Sequence, residues 1–264
     1  MKTCIIYLYR EDNNTKNNLQ FFVNQSKYDE NCDYHLIIND HRCSVKIPEF
    51  FVIHRQENAL DFPSYKTLIN KIDIKIYDTT YFINSSCIGP FLPIYCNLPW
   101  YSYLNNILSE YDMIGPIIEM PPPNKKFTNN PFIHTYMFGF NKSGTKLFSE
   151  LLNRYQSFDK DFCVYFERLL SHQVIDNNLK IKSLLTLFKN VDMNNKKNWN
   201  YILWSDSEQT CYEIPNNYHG IDINPYEIVF VKNIRNPHEH RSIDQAGISD
   251  NLRKQLSNYE LWTI

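Results

Sequence analysis

Four short apolar runs, Cys4–Leu8, Tyr34–Ile38, Phe50–Ile53 and Thr80–Asn84, constrain this chain more than any other feature. Each has the length of a strand and is bounded by polar residues. Helical signals lie between them. Asn17–Val23 begins one helix, and Phe62–Ile72 carries Tyr65, Leu68, Ile69 and Ile72 at helical spacing, with Pro63 tolerated in the first turn. Buried strands that alternate with helices predict an α/β fold, a mostly parallel central sheet flanked by helices. Ligands bind such sheets outside the carboxyl ends of the strands. That rule singles out the segments following Leu8, Ile53 and Ile83.

Further along, the patterns predict helices over Trp100–Glu110, Thr145–Tyr155 and Asp161–His172, and strands over Met113–Ile118, Phe132–Phe140 and Glu227–Lys232. Met120–Asn130 holds three prolines and a polar run, which continue neither a helix nor a ladder, so it reads as a loop. Trp204–His219 shows no clear period. Ser249-Asp250 caps a last amphipathic stretch with Leu252, Leu256 and Tyr259, read as a docking helix. One domain is expected, with residues 1–235 as its body and 236–264 as a carboxyl-terminal loop and helix of the same unit.

Composition removes several classes. A net charge of −2 lacks the basic excess of a general nucleic-acid binder, and 43% hydrophobic residues suffice for a core. The seven cysteines are odd in number and show no CxxC pair, so reduced thiols in a cytoplasmic protein are expected. No apolar run reaches the length of a membrane span. Ala occurs twice, while Asn, Tyr, Phe and Ile abound. That bias reads as the codon usage of an AT-rich genome, viral or protozoan. P-loop, GxGxxG, GxSxG and HExxH patterns are missing, and six glycines leave little for a phosphate-cradling loop. Kinase, dinucleotide-dehydrogenase and serine-hydrolase readings lose their support.

Three polar clusters follow predicted strands: Tyr9-Arg10-Glu11; His54-Arg55-Gln56-Glu57-Asn58 continuing to Asp61 and Tyr65; and Asn84-Ser85-Ser86 followed by Gly89-Pro90-Phe91. Any one of them is ordinary solvated loop. Three converging on one sheet edge read as a site.

The residues in these clusters also carry a resemblance. RQENALDFPSYKTLI and YFINSSCIGPFLP resemble segments of GT-A type glycosyltransferases, in particular rhamnan-synthesis-type proteins and glycosyltransferase-like proteins of large DNA viruses. PFIHTYMFGFNKSGTKLF, DFCVYFERLLSHQVIDNNLKIKSLL and YHGIDINPYEIVFVKNIR are similar to later segments of the same group, in the same order. The likeness runs from about Lys2 to Arg235. It implies a GT-A-like, nucleotide-diphospho-sugar transferase fold. It also implies a nucleotide-sugar donor (UDP-, GDP- or dTDP-linked) and a glycan acceptor, with action in the cytoplasm or the viral factory of an infected cell.

Glycosyl transfer needs a reader for the nucleoside, charge compensation for the departing diphosphate, and a base for the acceptor hydroxyl. By the resemblance, Tyr9 and Arg10 flank the nucleotide, Asp61 contacts uracil or ribose, and Asn58, Tyr65, Asn84, Ser85, Ser86 and Lys232 complete the donor side. Arg55 meets a phosphate or anchors its loop; the plain alternative is an Arg55–Asp61 ion pair. Glu167 is the expected base, in a single displacement with inversion. Asp161 is the runner-up base, or else a helix N-cap. A lone strand histidine such as His134 is more often a satisfied structural residue, although the resemblance places it beside the sugar.

Many GT-A enzymes carry Asp-x-Asp where this chain has Asn84-Ser85-Ser86. Mn²⁺ or Mg²⁺ wants oxygen ligands that usually include a carboxylate. Either Lys232, Arg235 or a histidine neutralises the diphosphate, or metal binding is lost together with turnover. In the second case the chain binds nucleotide sugar or glycan as a scaffold. The plain reading of Asn84 and Ser86 is that they end the strand and bind its backbone. His219 is the metal-side candidate, and His238 with His240 a possible metal pair or a solvated loop.

Overall fold

Every residue of Thr3–Tyr9 is buried, which only a strand covered on both faces achieves. The computed structural model describes residues 1–40, 42–57, 60–121, 130–202, 218 and 223–232. Its elements run β1 (Thr3–Tyr9), α1 (Asn13–Gln25), β2 (Cys32–Ile38), β3 (Phe51–Arg55), α2 (Asp61–Ile69), β4 (Thr79–Asn84), β5 (Cys87–Ile88) and α3 (Trp100–Leu108). There follow β6 (Met113–Gly115), β7 (Ile118–Glu119), β8 (Phe132–Ile133), β9 (Met137–Asn141), α4 (Lys142–Arg154), α5 (Lys160–Asp176), β10 (Ile181–Ser183), α6 (Pro225–Ile228) and β11 (Val231–Lys232).

Among the described residues, seven strands form one sheet in the order β10-β6-β9-β4-β1-β2-β3. β9 runs antiparallel to β4 and β6, and the other neighbours pair in parallel. The expected mostly parallel sheet flanked by helices is therefore the architecture found. Two short ribbons, β5 with β11 and β7 with β8, lie outside it.

The two-residue period of β1 divides the core. Cys4, Ile6 and Leu8 pack with α2, α4 and α5 residues such as Tyr65, Phe148 and Phe166. Ile5, Tyr7 and Tyr9 pack on the opposite face with Phe22 of α1 and Trp100 of α3. Across the antiparallel β4–β9 pair, Phe82 stacks on Phe138 with ring centroids 5.0 Å apart, and Phe148 meets Phe82 edge-on at 4.9 Å. Gly139 on β9 is required by this packing, since a Cβ there would lie 2.6 Å from the buried Tyr81 ring.

Some predicted elements differ. α1 begins earlier than Asn17 because Asp12 and Thr15 form a capping box, each side chain accepting from the other's backbone N–H at 2.8 Å. The Phe132–Phe140 strand is broken by the turn at His134–Tyr136, and Met113–Ile118 is broken at Pro116-Ile117. Glu227–Lys232 is not one strand. Asn224 accepts from Tyr226 N–H at 3.0 Å and Pro225 opens a helical turn, so only Val231–Lys232 pairs as a strand. Most of Trp204–His219, residues 122–129 of the proline loop, and the expected carboxyl-terminal helix lie outside the described residues.

Candidate active site

The strands β1, β2, β3 and β4 all end at the same edge of the sheet, and backbone bonds tie their tips together. Asn39 N–H donates to Tyr9 O at 2.7 Å, Gln56 N–H to Ile38 O at 3.0 Å, and Ser85 N–H to Leu8 O at 2.9 Å. Because β9 is reversed, its start reaches this edge too, where Asn84 N–H donates to Tyr136 O at 2.9 Å.

Asn84 organises the centre. Its Nδ2 donates to Asp61 Oδ2 at 2.7 Å, from the first residue of α2. Its Oδ1 accepts from Ser86 N–H at 3.1 Å and from the Ser86 hydroxyl. Burial raises the Asp61 carboxyl above its ordinary value; the Asn84 bond and the Lys232 charge oppose that rise, and the Glu167 charge adds to it. Lys232 arrives on β11, paired opposite Cys87, with its Nζ 5.9 Å from the centre of the Tyr136 ring.

Glu167 enters from the middle of α5. Its Oε1 accepts from Thr135 N–H at 2.6 Å and from Thr135 Oγ1 at 2.7 Å, so the carboxylate is clamped to the turn before β9. Cys163, one turn earlier, is pushed up to about 12, first by burial and then by the charge of Asp61. On the neighbouring ribbon, His134 Nε2 lies 2.9 Å from Oε2 of Glu119, a wholly buried carboxylate, and the imidazole stacks on Phe132 at 5.4 Å.

The edge thus gathers Asp61, Asn84, Ser86, Glu167 and Lys232, with His134 on the adjoining ribbon. Other expected residues sit differently. Tyr9 is wholly buried in the core, and its hydroxyl donates to Glu11 at 3.3 Å. Tyr65 is wholly buried among Phe62, Phe82 and Phe138, because it occupies the inward face of α2. Ser85 is buried, and its carbonyl accepts from Asn18 at 2.8 Å. Arg10 and Arg55 are exposed at the ends of their strands. The carboxyl of Asp61 bonds Asn84, where an ion pair with Arg55 was the plain alternative. Asp161 is exposed in the first turn of α5, and the N-cap is Asp159, which accepts from Phe162 N–H at 2.7 Å. Asn58, His219, Arg235, His238 and His240 lie outside the described residues.

Sequence reasoning missed Glu119, Thr135 and Cys163. Only Glu119 had a signal, as a lone acid between Ile118 and Met120 in an apolar run.

A divalent cation does not suit the described residues at this edge. Of the two carboxylates there, Asp61 bonds the Asn84 amide and Glu167 is clamped through Oε1 to Thr135, while the Asn84 oxygen already accepts two hydrogen bonds. Among the described residues no three His, Cys, Asp or Glu side chains converge as a metal cluster. A cavity of about 660 Å³ lies beside the end of α1 and one of about 650 Å³ against α4, both away from this edge. None of the described helices is long and apolar enough to cross a membrane.

No protein-family model matches the sequence, and no curated protein matches it. Solved structures do resemble its fold. A protein described as a nucleotide-diphospho-sugar transferase from Desulfovibrio desulfuricans is 14% identical, with a TM-score of 0.39 over 76% of this chain and 94% of its own. A 4-diphosphocytidyl-2C-methyl-D-erythritol synthase from Anaerococcus prevotii is 12% identical, with a TM-score of 0.39 over 76% and 93%. A mannosyltransferase from Pyrobaculum calidifontis, solved with GDP-Man and Mn²⁺, is 8% identical, with a TM-score of 0.43 over 69% of this chain and 54% of its own. The neighbours thus include both glycosyl- and nucleotidyltransferases. Likenesses this distant assign no reaction to the chain.

Proposed function

We propose that this chain transfers a sugar from a nucleoside-diphosphate donor to a glycan acceptor, in the manner of GT-A glycosyltransferases. The observation that carries the reading is the meeting of an Asn84-bound Asp61, the cation of Lys232 and a clamped Glu167 at the carboxyl edge of the sheet. Asp61 and Asn84 address the ribose or base. Lys232 offsets negative charge on the departing diphosphate, as a fixed cation in a partly buried site does better than water. Both Thr135 bonds fall on Oε1 of Glu167 and fix the side chain, leaving Oε2 as the oxygen that takes the acceptor's proton. Attack opposite the leaving group then inverts the anomeric centre. No step is routed through a metal ion.

One observation favours a second reading, a binder without turnover: the strand end that carries Asp-x-Asp in many such enzymes here spends its amide on Asp61 and Ser86. Thermal-shift titration with UDP-, GDP- and dTDP-sugars, with and without Mn²⁺, followed by donor hydrolysis, separates the two. Stabilisation with slow hydrolysis supports transfer, stabilisation alone supports binding, and no shift with any donor removes both. In an active protein, Glu167→Gln should abolish turnover while leaving donor affinity nearly intact; equal loss of both would take the base role from Glu167.

A further inference from the structure

The larger cavity, about 660 Å³, lies between the last turn of α1, the turn that enters β2 and the stretch from Pro90 to Tyr101. Its size falls within the roughly 300–1,000 Å³ span of small-molecule sites. Asp61, Asn84, Ser86, His134, Glu167 and Lys232 do not line it, although Pro90 of the cluster after β4 does. We propose that this cavity is a second binding site, and that its ligand is a neutral oligosaccharide.

The walls dictate the ligand class. Tyr28 presents its ring to solvent, 74% exposed, while Trp100 and Tyr101 form the buried side. An exposed aromatic ring of this kind takes a ligand with an apolar face. Yet a wholly apolar ligand would strip water from Asp29, a carboxylate held ionised by the Tyr101 hydroxyl at 2.6 Å and Asn31 N–H at 2.8 Å. A phosphorylated ligand fares no better, because Asp29 and Glu30 face it with Lys27 as the cation beside them. A pyranose satisfies both demands. Its C–H face lies on the rings, and its hydroxyls donate to the Asp29 carboxylate and to the Asn97 side-chain oxygen. Trp100, a lining side chain 3% exposed, carries a buried indole N–H with no hydrogen-bond partner among the described residues.

The site is independent of the transfer reaction, so it is tested by binding alone. Saturation-transfer NMR and titration calorimetry on the full chain would use cellotriose, maltotriose, chitotriose and mannotriose, with UDP and a trilysine peptide as contrasts. At least one trisaccharide should bind and shift the Trp100 indole N–H resonance. Tyr28→Ala should weaken that affinity about three- to tenfold, the loss expected for one aromatic contact. Asp29→Asn should weaken it as well, and the exposed position of Tyr28 leaves the fold of the first variant intact. The proposal is overturned if no trisaccharide binds, if binding survives both substitutions unchanged, or if UDP or the peptide alone moves the Trp100 resonance.

Discussion

Asn84→Asp is the sharpest test of the strand-end edge. In the structure the Asn84 amide donates to Asp61 at 2.7 Å, and the substitution replaces that donor with a second carboxylate. A hydrogen bond to a charged group contributes roughly 1.5–3 kcal/mol, and that is lost. Two full charges relaxed to about 4 Å repel by up to about 4 kcal/mol at an effective dielectric near 20. Lys232 and proton sharing reduce the sum, because burial already raises the Asp61 carboxyl and the pair can hold one proton between them. The net cost at pH 8 should be about 2–4 kcal/mol. At about 2–4 °C per kcal/mol for a chain of this size, Tm falls by about 5–15 °C. The sign with pH follows: a carboxyl raised in the folded state is stabilising while protonated, so the deficit should shrink towards pH 5 and grow as pH rises. Mn²⁺ should recover part of the loss in the variant, because the substitution turns the amide facing Asp61 into a second carboxylate, and adjacent carboxylates are hard-cation ligands. Scanning fluorimetry at pH 5 and 8, with and without millimolar Mn²⁺, reads all of this. A variant as stable as the parent at pH 8 would refute the Asp61–Asn84 contact, and equal Mn²⁺ stabilisation of both proteins would refute the account of the donor set.

Other perturbations test other layers. His35 lies beside His54, with Nδ1 to Nε2 at 3.0 Å, and is lowered to about 4, chiefly by burial and then by the His54 charge. A depressed histidine stabilises above the unfolded value near 6.5 and loses that stability as pH falls through about 4, on the order of 2–3 kcal/mol across the window. Urea unfolding between pH 7.5 and 4 should show this decline, and an unchanged slope in His35→Gln would remove His35 as its source. Gly139→Ala should cost at least about 1–3 kcal/mol by overpacking, since the added Cβ meets the Tyr81 ring at 2.6 Å; parental stability in denaturant titration would contradict the packing described. Asp12→Ala removes the cap of α1 and should cost about 1 kcal/mol, with loss of hydrogen-exchange protection confined to that helix's first turn.

Much of the sheet was readable from local pattern. β1, β2, β3 and β4 are where continuous apolar runs stood; β1, β2 and β4 are apolar because they are buried on both faces, whereas β3 is an edge strand that leaves Val52 and Ile53 exposed. Boundaries failed where a single side chain decided them, as with the Asp12–Thr15 box and the Asn224-Pro225 turn inside an otherwise strand-like stretch. Of the candidate site, Asp61, Asn84, Glu167 and Lys232 came from polar residues placed after strands or on a helix by resemblance. Tyr9 and Tyr65 read as site residues because an aromatic with a hydroxyl suits both a pocket and a core, and nothing in their neighbours separates the two.

Hydrophobic periodicity alone settled that this chain builds a covered, mostly parallel sheet, because burying a strand or a helix face is a requirement each segment meets by itself. The tertiary structure alone settled the reversal of β9, which swings Thr135 to the strand-end edge, and the placing of α5 and β11 so that the charges of Glu167 and Lys232 act on Asp61. Which polar groups satisfy one another depends on backbone positions well separated in sequence, 23 residues for Asn84 and Asp61 and 32 for Thr135 and Glu167. That information exists only once packing has fixed the register between strands.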